Sequence, residues 1–339
     1  MISNLVGVIA LFLLTLQSFA QDQTAVVHVK NDSISVPKKV VSYAADKFTV
    51  IRPLNIEFTS VSPYNFSLKK GLPSVKEGKV NTFRQAKVTA TIPFIKKKNY
   101  VFAGTLGYKY TAIDSDLFES FTRNPTANQT NFHNLFTSLN FVYFSSLFGK
   151  RTVYSTSLIV DGSDSYVERV KGLASGVIIL KGDARTVMSI GVAVTIDPTT
   201  QVPVLPVFTY ERKFNHGFVF DATLPKSIYL RKNMFTASRL SLGSELDVTS
   251  FYLYNFDEVK QRYEYRQVDV NSGFIYEHAF GEFVLTAKAG LKVTPSSRIF
   301  EKEKSFKKAT VEFKPDPTFY FNVGISFNPF TLLKKNKEA

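Results

Sequence analysis

Charged side chains recur at alternate positions within long, otherwise apolar segments of this 339-residue chain. In residues 282–293, for example, Lys288 and Lys292 stand between small or apolar neighbours. Rows of ionic groups of both signs can bind or select a small charged solute, which is the chemistry of a pore lining. The candidate lining residues are Glu57, Lys87, Lys109, Arg185, Glu211, Asp221, Arg239, Glu245, Asp247, Asp269, Glu277, Lys288 and Lys292.

Histidine and serine are the other residue types that could do chemistry. His133 with Ser138 forms no recognisable nucleophile motif, and no G-x-S-x-G motif is present. His278 beside Glu277 is a candidate general base. The sequence has no cysteine, and the histidines lack metal-ligand spacing. We therefore expect no catalytic residue, no metal site and no cofactor, with a lipid-acting enzyme based on His133 and His278 as an alternative. The four histidines are His28, His133, His216 and His278.

The elements that position these residues are strands, because side chains alternate with a period of two. The clearest segment is Thr318–Phe327, where five apolar residues share one face. We predict an all-β fold, a single antiparallel up-and-down transmembrane β-barrel of fourteen strands, with twelve as the fallback. The predicted strands lie at about 50–61, 80–94, 99–112, 132–146, 151–161, 166–180, 185–197, 202–213, 217–224, 226–232, 235–253, 261–279, 282–294 and 317–328. The five apolar residues of the last strand are Phe319, Phe321, Val323, Ile325 and Phe327.

The polar faces of the strands favour a membrane barrel over a secreted β-sandwich. The mid-strand charges stay on one face, and an Arg or Lys on a lipid face would cost about 2–4 kcal/mol. Most segments are also longer than the five or six residues typical of soluble strands, and tilted membrane strands need about 9–11. In Gly172–Leu180 neither face is consistently apolar, so its orientation is left open.

The amino terminus has the pattern of an export signal. The apolar run Leu5–Leu16 is followed by small residues at Ser18 and Ala20, which indicates cleavage before Gln21. We predict a signal peptide at 1–20, a periplasmic tail at 21–48, an outer-membrane barrel at 49–330 and a basic tail at 331–339. The net charge of +14 does not indicate nucleic-acid binding, because the chain is exported and its lysines cluster in turns and tails.

The predicted connections alternate in length, as in outer-membrane barrels. Short turns oppose long loops at Ser62–Lys79, Asp114–Asn131, Asp161–Lys171 and Thr294–Asp316. With an even number of strands, both termini face the periplasm. The long loops then fall on one side only if a turn near Pro225 divides 217–232 into two strands, since proline is poor inside a sheet. The many Phe and Tyr residues predict aromatic girdles at the two interfaces.

Two segments carry resemblances. Thr318–Phe327 resembles the recognition strand that the barrel-insertion machinery reads. VLPVFTYERKF at 204–214, a short Asn-His-Gly turn, and DATLPKSIYLR at 221–231 are similar to a family of uncharacterised outer-membrane β-barrel proteins of Gram-negative bacteria, mainly of the Bacteroidota type. The similarity covers most of residues 50–330 in strand order. It implies a single outer-membrane barrel and no established catalytic residues.

The sequence leads to two functional hypotheses besides the enzyme. The first is a channel or small-solute transport or binding barrel with a charged lumen. The second is a structural or surface-interaction barrel, in which ion-paired side chains fill the lumen and the loops at 62–79, 114–131 and 295–316 bind partners. The expected partners are outer-membrane lipid, the insertion machinery and a small solute, with no nucleic acid.

Overall fold

The computed structural model describes residues 44–70, 75–119, 125–197, 199–200, 202–235, 237–254 and 261–329. The predicted signal peptide, most of the predicted tail and the basic carboxyl-terminal tail lie outside these ranges. The described residues form a helical turn at 44–47, a 3-10 helix (η1, Thr49–Ile51) and sixteen β-segments. These are β1 (Leu54–Val61), β2 (Tyr64–Lys70), β3 (Val75–Lys96), β4 (Tyr100–Glu119), β5 (Pro125–Leu147), β6 (Lys150–Gly162), β7 (Val167–Gly182), β8 (Thr186–Ile196), β9 (Val204–Lys213), β10 (Phe218–Leu224), β11 (Ser227–Met234), β12 (Ser238–Leu253), β13 (Tyr263–Phe280), β14 (Phe283–Glu301), β15 (Val311–Pro315) and β16 (Thr318–Phe327).

The sixteen segments make fourteen strands. β1 and β2 both pair with β3, so they are two parts of one strand interrupted beside Pro63. β15 and β16 both pair with β14 and are interrupted beside Pro317. Proline has no N–H to donate to the ladder, which explains a break at both places. β1 then pairs antiparallel with β16, with Leu54 opposite Phe327, and closes the sheet. The fourteen-strand antiparallel barrel is confirmed, and the sandwich alternative is wrong because one sheet closes on itself.

The two ends of the barrel differ. β1 begins and β16 ends at the end that we call the inner end, where short turns join the strands. At the opposite, outer end, the predicted turn between β10 and β11 is present, at Pro225 and Lys226, with a cis Leu224–Pro225 bond. This turn makes 217–232 two strands, so the fallback count of twelve is wrong.

The prediction of four long loops is largely wrong. Most of their residues belong to β2, β15 and the outer parts of β3, β4, β5, β7 and β14, and the β6–β7 connection shrinks to residues 163–166. The reason is that the polarity of the wall reverses along the strands. In β4, apolar residues up to Tyr110 face outside, whereas further out Ile113 and Leu117 face the lumen. A register shift between Val80 and Thr82 accompanies the same reversal in β3.

The height of the wall is uneven. β3 and β5 have 22 and 23 residues, whereas β10 and β11 have seven and eight. Beyond this short hairpin, β12 turns inward and contacts strands on the opposite side. The Phe251 ring stacks on Phe132 of β5 at 3.8 Å between centroids, and the Tyr252 hydroxyl donates to Asp161 Oδ1 of β6 at 2.9 Å. The outer parts of β2–β5 and β12–β15 therefore enclose a narrower space, which we call the outer cylinder.

The outside face carries an apolar belt with aromatic residues at the inner turns. Leu106, Leu158 and Ile190 are half-exposed in mid-strand, and Phe148 and Phe235 in the inner turns are 89% and 88% exposed. Ile178 pairs with the half-exposed Ile190, so the even-numbered residues of Gly172–Ile178 face outside, and Leu180 at the following register shift is also exposed. This is the orientation that the sequence of Gly172–Leu180 does not indicate. An exposed apolar belt with interfacial aromatics is the surface of an outer-membrane-like β-barrel. Among the described helical residues, none forms a helix long and apolar enough to cross a membrane.

Candidate functional site in the barrel lumen

Twelve of the thirteen predicted lining residues lie on lumen-facing positions of the strands. Arg185 does not: it is exposed in the turn between β7 and β8, where its backbone N–H donates to Asp183 Oδ1 at 2.9 Å. The prediction for Arg185 was wrong because β8 begins one residue later, at Thr186. The residues that face the lumen are Glu57, Lys87, Lys109, Glu211, Asp221, Arg239, Glu245, Asp247, Asp269, Glu277, Lys288 and Lys292.

The inner end of the lumen is filled by residues 44–53, which we call the inner segment. Its helical turn places Ala45 at 0% exposure. Arg52, 2% exposed, donates from Nε to Ala45 O at 3.0 Å and from Nη1 to Ser326 Oγ at 2.7 Å. The last residues of the predicted tail, 44–48, thus lie inside the barrel.

Ion pairs hold the inner segment to the wall. Lys47 Nζ lies 2.6 Å from Asp221 Oδ1 and 3.1 Å from Glu211 Oε2. Asp46 Oδ2 accepts from Arg239 Nη1 at 2.7 Å, and Arg239 also contacts Glu277 Oε2 at 2.7 Å. The complete network alternates in sign and balances four cations, Lys47, Arg52, Arg231 and Arg239, against four carboxylates, Asp46, Glu211, Asp221 and Glu277.

Outward from this network is a polar chamber of about 210 Å³. Lys288 Nζ lies 2.6 Å from Glu245 Oε1 in its wall. Lys87 stands in register between Glu57 of β1 and Lys109 of β4. No carboxylate in the described part of the chain lies within 4.0 Å of the Lys87 or Lys109 ammonium group. Two neighbouring ammonium groups without a close counter-ion make this wall suited to an anion.

An apolar layer closes the polar chamber on its outer side. Val61, Phe83 and Tyr320 are buried and pack together in the lumen. Lys292 Nζ lies 5.0 Å from the centroid of the Phe83 ring and 2.7 Å from Asp269 Oδ2. This layer separates the charged part of the lumen from the outer cylinder.

A second ionic cluster lies at the outer end, where β13 meets β7. Arg169 Nη1 lies 2.6 Å from Glu264 Oε2, and Arg266 Nη2 lies 2.6 Å from Glu264 Oε1. Asp197, just beyond β8, is 3.6 Å from Arg169 and from Arg266. Burial alone would raise the pKa of Asp197, but hydrogen bonds from Thr199 and the charge of Arg169 lower this pKa below its ordinary value.

The residues considered for catalysis lie apart from these clusters. His133 Nδ1 is 2.8 Å from the Tyr108 hydroxyl, and His278 Nδ1 is 2.8 Å from Ser238 Oγ. Ser238 is only 3% exposed, so a substrate would not reach its hydroxyl without a local rearrangement. Within the described ranges, no group of three or more His, Cys, Asp or Glu side chains is arranged to hold a metal ion.

Sequence reasoning missed the partners of the predicted lining residues. Arg231 was not singled out, although it shares a strand face with Tyr229 and pairs with Asp221 at 2.9 Å. The two-residue spacing between Tyr229 and Arg231 is the sequence signal that places both side chains on one face of the strand. Asp46, Lys47 and Arg52 precede the first strand, and no pattern in that region indicates that they lie in the lumen.

Comparisons with known proteins give only distant similarity. No protein-family model matches the chain, and no curated protein matches it. The transport unit of the autotransporter AIDA-I from Escherichia coli is 7% identical, with 93% of this chain and 96% of that chain covered and a TM-score of 0.28. The beta domain of the Bordetella autotransporter BrkA is 10% identical, with 81% and 98% covered and a TM-score of 0.24.

A third solved structure is similar at the same level. The translocator domain of the autotransporter NalP from Neisseria meningitidis is 10% identical, with 86% of this chain and 93% of that chain covered and a TM-score of 0.24. Scores this low transfer no function. The barrel is shown by its own strand pairing, which closes the sheet between β1 and β16. Membership of the Bacteroidota-type family stays a prediction.

Proposed function

We propose that the chain is an exported outer-membrane barrel that binds and passes a small anionic solute, with the inner segment as its gate. The observation that carries the proposal is the way in which the inner segment is held. Asp46 and Lys47 contact the wall through side-chain ion pairs, whereas the strands are joined by backbone pairing. The segment can therefore leave the lumen without breaking the wall.

Most wall charges of the network support this proposal because they have partners among themselves. Arg231 pairs with Asp221 at 2.9 Å, and Arg239 pairs with Glu277 at 2.7 Å. Removal of Asp46 and Lys47 would leave these two pairs intact, and Glu211 is the wall charge that would lose its contact with Lys47. The polar chamber with Lys87 and Lys109 then provides the anion-binding part of the path.

Conductance in planar lipid bilayers tests the gate. Because the layer of Val61, Phe83 and Tyr320 is a second block, the gate is tested in a Phe83→Ala background. We expect Phe83→Ala alone to be mostly closed and Phe83→Ala/Asp46→Ala/Lys47→Ala to show stable open currents. The matched control in this background is Lys181→Ala/Asp183→Asn, which removes an exposed ion pair of 3.2 Å near the inner end, keeps an acceptor for the backbone N–H of Arg185, and should behave as Phe83→Ala alone. A folded Phe83→Ala/Asp46→Ala/Lys47→Ala variant that stays closed would refute the gate.

Ion selectivity of the opened variant tests the solute class. Under a KCl gradient, the reversal potential should indicate preference for chloride, and Lys87→Gln/Lys109→Gln in the opened background should reduce or abolish it. An opened pore that prefers potassium, or a preference unchanged by these substitutions, would argue against an anionic solute. Outer-membrane lipid and the insertion machinery, which would read Phe319 to Phe327, remain the proposed partners during biogenesis.

One observation favours the alternative of a structural or surface-interaction barrel. In the described residues, the lumen is blocked at the inner segment and at the layer of Val61, Phe83 and Tyr320. A barrel with no transport role would keep both blocks permanently. Its signature is closure of every inner-segment variant, together with a binding partner that is lost when the outer ends of the β4–β5 hairpin are shortened.

A further inference from the structure

The outer cylinder encloses a cavity of about 250 Å³, which we call the apolar chamber. Each of its eight β-segments, β2–β5 and β12–β15, contributes lumen-facing side chains to the lining. The stacked rings of Phe132 and Phe251 close the seam between β5 and β12, which are not paired by backbone hydrogen bonds. The chamber is therefore a walled space within the fold and not a crevice between loops.

The lining is predominantly hydrocarbon. None of the described side chains that line the chamber is charged, and only Ser115, Thr130, Ser297 and two tyrosines bring hydroxyl groups. The Ser297 hydroxyl donates to the Tyr265 hydroxyl at 2.9 Å, and that hydroxyl donates in turn to Gln267 Oε1. Because Ser297 and Tyr265 bond within the wall, two of the five lining hydroxyl groups are already engaged and are less available to water.

The chamber is a partly open pocket whose space is much larger than a water molecule. Close-packed side chains ordinarily leave few spaces of this size. The walls here are large aromatic side chains in defined contacts, such as Phe66 edge-on to Phe313 at 5.6 Å between centroids, and not small side chains that fail to fill the space. This combination of rigid aromatic walls and an apolar void is typical of a pocket for an apolar ligand.

The volume and the lining define the class of ligand. An apolar cavity of about 150 Å³ accommodates benzene, so about 250 Å³ has room for roughly ten carbon atoms. A carboxylate or phosphate headgroup would find no cation among the described lining residues, and burying an unpaired charge is costly. We infer that the apolar chamber binds one small, uncharged hydrocarbon-like molecule of about ten carbons, such as an alkylbenzene. This site is separate from the polar chamber, so the inference does not depend on the proposed gate.

The test measures binding of n-butylbenzene to the full-length protein in lipid nanodiscs by equilibrium dialysis with gas-chromatographic detection. Empty nanodiscs correct for partitioning into lipid. We expect saturable binding of one molecule per barrel. Ser115→Phe, which fills the chamber, should weaken binding at least tenfold. Ser67→Phe places the same ring on the exposed side of β2 and should bind as the parent does.

A second variant covers the case in which Ser115→Phe does not fold. Leu117→Ala enlarges the chamber and should shift the preference toward n-octylbenzene over n-butylbenzene by at least fivefold relative to the parent. Absence of saturable binding to the parent above empty nanodiscs would overturn the inference. Unchanged binding in a folded Ser115→Phe variant, or an unchanged chain-length preference in Leu117→Ala, would also overturn it.

Discussion

Substitution of Glu277 by glutamine tests whether the ionic network at the inner end stabilises the barrel. Glu277 Oε1 accepts from Arg52 Nη2 at 3.2 Å, and Oε2 accepts from Arg239 Nε at 2.7 Å. Its side chain is only 9% exposed. Glu277→Gln keeps the shape of the side chain but removes the charge that two buried guanidinium groups share.

The expected loss follows from the balance of the network. With four cations and four carboxylates, removal of one carboxylate leaves one buried positive charge without compensation. Removing one partner of a buried ion pair lowers the free energy of unfolding by about 3–5 kcal/mol. A loss of about 3 kcal/mol lowers the folding equilibrium constant by roughly two orders of magnitude.

Urea titration of the barrel in lipid vesicles, followed by the heat-dependent gel shift of folded barrels, measures this free energy of unfolding. Asp183→Asn is the matched control, because Asp183 contacts Lys181 at 3.2 Å in an exposed turn, and it should unfold as the parent does. Glu277→Gln/Arg239→Gln restores the charge balance and should recover part of the loss. The reasoning is refuted if Glu277→Gln unfolds as the control does, or if the double variant loses the sum of both single variants.

Two further predictions concern the outside face and the outer end. Leu158→Arg should lower the free energy of unfolding in lipid by about 2–4 kcal/mol, because Leu158 is 52% exposed within the apolar belt. Val167→Arg, which lies beyond the belt, should leave the free energy of unfolding unchanged. Equal losses for the two variants in the same urea titration would contradict the position of the belt. The lowered pKa of Asp197 means that its stabilisation is complete above the unfolded pKa of about 4 and is lost as the pH falls through the folded value. Melting temperatures of the parent and Asp197→Asn should therefore differ at pH 7 and converge as the pH falls through the lowered pKa of Asp197. A difference that stays constant at acid pH would show that Asp197 does not titrate as described.

The sequence was sufficient to predict the strands that cross the apolar belt, because one solvent, lipid, dictates which face is apolar. Pro225 alone decided between twelve and fourteen strands, since its position fits a turn and not a central strand. Beyond the belt the surrounding solvent is water. There the apolar residues of β4 change from the outside face, up to Tyr110, to the lumen face, from Ile113 onward. A pattern search that assumes one solvent predicts loops in that region.

The sequence predicts which side chains face the lumen, but it does not predict which of them contact each other. Alternation indicates that Asp221 faces inward, but its partner Lys47 lies 174 residues away in the sequence. No local pattern encodes a contact of that separation. Arg185 was misplaced for the opposite reason, because a local shift of one residue at the start of β8 moves a side chain from the lumen into a turn.

The outer cylinder is built from two parts of the chain that are far apart in the sequence. Its segments β2–β5 come from the first half of the chain and β12–β15 from the last third, and the rings of Phe132 and Phe251 meet only when both halves are in place. Contacts between such distant parts of a chain form late and slowly. The cylinder is therefore absent from any nascent or shortened chain that lacks β12–β15, and its closure marks the completion of assembly.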